Sequence, residues 1–152
     1  MTAAFQWICQ GVPQPTVDTR RLEQWIEQVT LSHNRILGPV CYVFCDDEKI
    51  LDVNRRFLAH DYYTDIITFD YSRGRVISGD MYISLDTVRS NAEAVGAPCG
   101  RELLRVIIHG ILHLCGINDK GPGEREIMER NEDEALAMLP PELKAAEMSD
   151  FA

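Results

Sequence analysis

The sequence predicts an α+β fold, a single small mixed sheet of about four strands covered by about five helices. Two observations predict it. Strand-like and helix-like segments are mixed without strict alternation, and the 152 residues carry no internal repeat, low-complexity tract or interdomain linker. That length suits one hydrophobic core. The expected division is one domain over residues 1–139 and a short, loose acidic tail over 140–152, which lies within PPELKAAEMSDFA.

FQWICQ has the pattern of a first strand. DTRRLEQWIEQV places Leu22, Trp25, Ile26 and Val29 at helical spacing, with Asp18 or Thr19 as the cap. Gly38-Pro39 is expected to break the chain before the strand VCYVFC. Asp46 or Asp47 opens a second helix, whose inner stripe is Ile50, Val53, Asn54, Phe57 and Leu58. DIITFDY and ISGDMYIS are two further strands separated by the turn-prone SRGR. LDTVRSNAEAV is a helix stopped by Gly96, and GAPCG marks a loop. From Arg101 to Cys115 runs a strongly apolar helix with Leu104, Ile107, Ile108, Ile111 and Leu112, ended by Gly116. A last helix is expected from Pro122 or Gly123 toward Met138, where Pro140-Pro141 stop it.

Composition narrows the class. No apolar run reaches the roughly 18–20 residues that a membrane span needs, and MTAAFQWICQ lacks the basic and long apolar stretches of a signal peptide. The expected location is cytoplasmic, with no membrane partner. Five cysteines form no C-x-x-C pair, so neither a disulfide framework nor a thiolate zinc knuckle is indicated. Cys41 and Cys45 share one strand face and are expected to pack as small hydrophobes. The net charge of −9 argues against a nucleic-acid partner at first sight. Its distribution weakens that argument, because nine acids against three bases from Gly121 to Ala152 carry −6 of it. Between Arg55 and Arg105 seven arginines balance seven acids, which leaves room for a local basic face.

The chemistry concentrates in HGILHLCGIND, residues 109–119. Histidines four apart lie one turn above another on one helix face, so His109 and His113 can direct their imidazoles at one ion. Gly116 ends the helix, and the reversed chain can return Asp119 as a third ligand. Two imidazole nitrogens and a carboxylate oxygen suit one divalent ion, zinc foremost, with a fourth position left open for catalysis. The H-x-x-x-H-x-x-G-x-x-D pattern resembles the zinc motif of metzincin-type proteases. Those carry a glutamate base after the first histidine. Here that position is Gly110, which argues against peptide hydrolysis and is expected to leave space beside the ion.

A closer resemblance covers more of the chain. HGILHLCG is similar to the signature H-G-x-L-H-L-x-G-Y-D-H of the YbeY endoribonuclease family. VNRRFLAHDYYTDIITF resembles that family's L-N-x-x-Y-R-x-x-x-x-x-T-D-V-L-S-F, and SGDMYIS its G-D-I-x-I-S. Together these matches span Val53 to Asp119 in the family's order. The resemblance implies a metal-dependent hydrolase that cleaves single-stranded RNA, namely ribosomal RNA near the end of the small-subunit species. His109 and His113 match the family's first two metal histidines.

The departures are specific. Asp119 stands at the third histidine and Asn118 at the aspartate before it. An aspartate ligand makes the bound ion less positive and a weaker acidifier of its water. The upstream arginine, which the resemblance ties to RNA cleavage, falls at Leu58. Arg55, Arg56 and His60 are candidate replacements, and their other role is solvated surface. Thr64-Asp65 and Gly79-Asp80 match the family's T-D and G-D pairs. Both are expected to be scaffold, Thr64 and Asp65 closing a loop and Gly79 permitting a tight turn; the alternative is that one of the acids helps position water, as strand-end carboxylates can. Arg105, one turn before His109, could meet a phosphate or pair with Glu102 or Asp119. Two rival functions stand beside the nuclease: a ribosome-assembly factor that binds RNA or protein around a structural metal, and a metal hydrolase of another small substrate.

Overall fold

The computed structural model describes residues 5–59 and 64–147. Along these residues run β1 (Phe5–Cys9), α1 (Thr19–Ser32), β2 (Ile36–Cys45), α2 (Asp47–Leu58) and β3 (Ile66–Asp70). There follow β4 (Val76–Ser84), α3 (Leu85–Val95), α4 (Cys99–Leu114), α5 (Glu124–Ala137) and α6 (Pro141–Glu147). The strands form one sheet in the order β1-β2-β4-β3. β1, β2 and β4 are parallel, and β3 runs antiparallel to β4 along the sheet edge. The α+β expectation holds, with one more helix than foreseen.

Helix starts follow local chemistry. The Asp18 carboxylate accepts from the backbone N–H of Arg21, and that of Asp46 from the N–H of Lys49. Each satisfies an N–H that the helix leaves without an internal partner. One sheet face, with Tyr42, Phe44, Met81 and Ile83, packs with α1 and α4 into the main core. Tyr42 is fully buried, and its hydroxyl donates to the Ile107 carbonyl at 2.8 Å, tying β2 to α4. Trp25 on α1 donates its indole N–H to the Ala135 carbonyl at 2.8 Å, tying α1 to the end of α5. On the opposite face Ile50 and Val53 of α2 cover Cys45 and Ile67 in a smaller core. Among the described residues no helix is long and apolar enough to cross a membrane.

Four local expectations are corrected. Gly38-Pro39 does not break the chain before β2 but lies inside it, where the register with β4 shifts between Leu37 and Val40. Gly38 crosses so close to the Ile77 carbonyl that a Cβ would collide with it, so the bulge absorbs the proline within the strand. Gly79 makes no turn either: it lies in β4, and a Cβ there would press on the Phe69 carbonyl and Leu114. Phe57 and Leu58 leave the inner stripe, at 65% and 39% exposure, although Phe57 still meets Phe69 of β3 edge-on. Cys45 is buried as expected, whereas Cys41 is only half-buried.

The described part of the C-terminal segment is helical. Residues Pro141–Glu147 form α6, with Leu143 fully buried in the main core and Arg101 of α4 paired to Glu147. Pro141 is the first residue of that helix, the position where proline's missing N–H costs nothing.

Candidate metal centre

Helix α4 is apolar because it runs through the core, with ten of its sixteen residues buried. His109 and His113 share its one half-exposed face, and their rings lie 4.7 Å apart, edge to face. Cys115 closes the helix and Gly116 turns the chain at a φ of 97°, a conformation that glycine adopts freely. Three residues later Asp119 comes back over the two rings. Its Oδ2 lies 3.3 Å from His109 Nε2 and its Oδ1 3.5 Å from His113 Nε2.

These three side chains form a group that could hold a metal ion, their ligand atoms all within 4.8 Å of one another. Donors on ~2.0–2.1 Å arms of a tetrahedral zinc are about 3.3 Å apart, a spacing that Asp119 Oδ2 already has to His109 Nε2. Asp119 Oδ1 supplies the independent test of fit. It is buried yet lacks a hydrogen-bond partner among the described residues. A buried acceptor left unpaired costs roughly 1–3 kcal/mol, so a cation beside it relieves a real penalty.

The electrostatics differ between the two rings. Burial disfavours the charged form of His109, but the Glu132 hydrogen bond and the charges of Glu132, Asp119 and Asp65 outweigh it and raise its pKa. Burial and the neighbouring His109 lower that of His113, keeping it in the neutral form that ligation requires.

The centre opens into a cleft of about 540 Å³ whose far wall is β3, as far as Asp70, and the end of α2. Asp65 lies in this cleft, its carboxyl held above the ordinary value by burial against the lowering charge of His109. Leu58 lines the wall, and Lys120 is the single Lys or Arg among the described lining residues. Arg55 and Arg56 are exposed outside the lining, Arg56 being paired to Asp52 at 2.9 Å. His60 lies outside the described residues. Arg105 is hydrogen-bonded to Glu132 at 2.7 Å and Asp133 at 3.1 Å, both on α5, and it lines a second cleft together with Glu102, His109 and Asp119.

Two features escaped sequence reasoning. Gly110 opens no space beside the ion; it is buried against the sheet, where Met81 and Ile66 fill the place of its missing side chain. Glu132 is a buried acid whose Oε2 lies 2.6 Å from His109 Nδ1. Its signal was present in α5, where an acid interrupts the buried stripe of Met128, Ala135 and Leu136.

Fold and site together define a small α+β protein with a half-open His-His-Asp centre, of the kind suited to a divalent ion. The chain belongs to the family described as Endoribonuclease YbeY, whose profile matches residues 10–140. It is 63% identical to the Endoribonuclease YbeY of Bacteroides thetaiotaomicron over 135 residues, 89% of this chain and 98% of that protein. With the Parabacteroides distasonis protein of the same name it shares 56% over 141 residues, 93% of this chain and 99% of that one. The solution structure of TM1509 from Thermotoga maritima shares the fold, with a TM-score of 0.65 at 24% identity over 96% of this chain and 97% of that one.

Proposed function

We propose that this protein is a metal-dependent endoribonuclease that cleaves single-stranded ribosomal RNA during maturation of the small ribosomal subunit. Membership of the Endoribonuclease YbeY family supports the reaction class. The unpartnered Asp119 Oδ1 over two histidines carries the metal dependence. His109, His113 and Asp119 would hold one divalent ion, zinc by donor chemistry. When bound, such an ion supplies Lewis-acid polarisation of a phosphoryl oxygen and of the attacking group. The five cysteines, all free among the described residues, fit a reducing cytoplasm.

The chain's own residues divide the remaining work. Asp119 and the two imidazoles fix where the scissile phosphate sits, at the end of the cleft. Lys120, in the same cleft, meets a phosphate oxygen as a point charge. Asp65, half-buried near His109, offers a strand-end carboxyl that can position or take a proton from the attacking hydroxyl. Both attack by water and attack by the ribose 2′-hydroxyl fit this arrangement.

Leu58 in the cleft, at the position where the family resemblance calls for arginine, favours a second reading: an assembly factor that binds RNA around a structural metal. Chelation separates the two. In an enzyme, EDTA abolishes cleavage of an RNA oligonucleotide at a temperature where the fold persists, and zinc restores it. In a binding module, EDTA lowers the melting temperature, and purified protein shows no metal-dependent cleavage at any zinc concentration.

A further inference from the structure

We propose that Glu132 is a positioning residue for the metal centre: it fixes the tautomer and orientation of His109, and Arg105 anchors it. The inference rests on the reading that His109, His113 and Asp119 hold an ion. An ionised carboxylate only accepts hydrogen bonds, so the 2.6 Å contact makes His109 Nδ1 the donor. In the neutral ring Nε2 is then the lone-pair nitrogen, and it is Nε2 that faces Asp119. The other Glu132 oxygen accepts from Arg105 at 2.7 Å, and the second terminal nitrogen of Arg105 is taken by Asp133. A chain of charge-assisted bonds thus runs from α5 through α4 to the ligand atom. Carboxylates of this kind orient ligating histidines and raise their basicity.

The competing explanation is that Glu132 merely ties α5 to α4. The molecule contains its own control. Arg101 of α4 pairs with Glu147 of α6, whose side chain is 12% exposed, in another helix-to-helix ion pair that touches no candidate ligand. The two glutamates therefore separate fastening from positioning.

The test is cobalt(II) affinity of the metal-freed full chain, by chelator competition, for wild type, Glu132→Ala, Glu132→Gln and Glu147→Ala. Glu132→Ala is expected to lose about 10–100-fold in cobalt affinity. Glu132→Gln, which keeps an acceptor without the charge, falls between it and wild type. Glu147→Ala melts earlier yet binds cobalt within about twofold of wild type. Long-range ¹H–¹⁵N spectra of the metal-free protein at alkaline pH should show His109 protonated at Nδ1, with that preference lost in Glu132→Ala. Should Glu132→Ala fail to fold, Arg105→Met, which leaves Glu132 unanchored, must still weaken cobalt binding. Wild-type affinity in Glu132→Ala or Arg105→Met, or an equal loss in Glu147→Ala, overturns the proposal. A wild-type protein that takes up no cobalt overturns the metal reading itself.

Discussion

Gly110 on α4 lies against the thioether of Met81 on β4, and a Cβ at position 110 would run into that sulfur and the Ile66 methyl. The glycine therefore serves helix-on-sheet packing. It sets how deeply α4 sinks onto the sheet, and so where the two histidines emerge.

Gly110→Ala should bring two opposed effects. Overpacking costs about 1–3 kcal/mol, while the better helix propensity of alanine returns roughly 1 kcal/mol. The expected net change in the wild-type background is destabilising. In a Met81→Ala background, which removes the obstructing sulfur, the same substitution should become stabilising. Urea unfolding of the four proteins in this cycle measures it. An unchanged sign in the Met81→Ala background contradicts the packing role.

Leu143 tests the C-terminal helix. It is fully buried against the main core, so Leu143→Ala should cost about 2–5 kcal/mol in urea unfolding. A loose segment would tolerate the change within about 0.5 kcal/mol.

Two thiols give a pH signature. Burial pushes the Cys45 thiol up to about 12 and the Cys115 thiol up to about 11, from an ordinary value of 9.0. Each native thiol holds its proton above the pH at which the unfolded chain releases it. Stability is therefore fully present below the unfolded value of 9.0 and falls as the pH rises toward these native values. Urea midpoints measured from pH 8 to pH 11 should decline, and the decline should shrink in Cys45→Ala relative to wild type. A Cys45→Ala protein with the wild-type slope would contradict the assignment.

Lys120 is expected to carry a phosphate contact. Lys120→Ala should raise the KM for an RNA oligonucleotide about 5–10-fold and flatten its dependence on the logarithm of salt by ~0.7. Lys120→Arg, which keeps the charge, restores the KM. A salt dependence identical to wild type would remove Lys120 from the substrate path.

What the sequence disclosed followed how local each signal is. The caps at Asp18 and Asp46 bond within three residues, and Gly116 needs only its own φ, so helix ends were legible. The histidine pair and Asp119 were legible because helix periodicity and one turn bring them together. Glu132 was not, since 23 residues separate it from His109 and only tertiary packing joins them. The pairing of Arg105 with Glu132 and Asp133 was not legible either, because these partners are equally remote in sequence. The bulge at Gly38-Pro39 and the close approach at Gly79 depend on neighbouring strands and α4, which single-strand patterns do not reveal.

The central claim is that one ion on His109, His113 and Asp119 is required for RNA cleavage. Its most direct measurement pairs bound zinc with cleavage rate for wild type, His113→Ala and Asp119→Ala in nuclease-free preparations of confirmed fold. Both variants should lose zinc and lose cleavage together, by about 100-fold or more, since a three-ligand site tolerates no vacancy. Cleavage by zinc-free His113→Ala at the wild-type rate would contradict the claim.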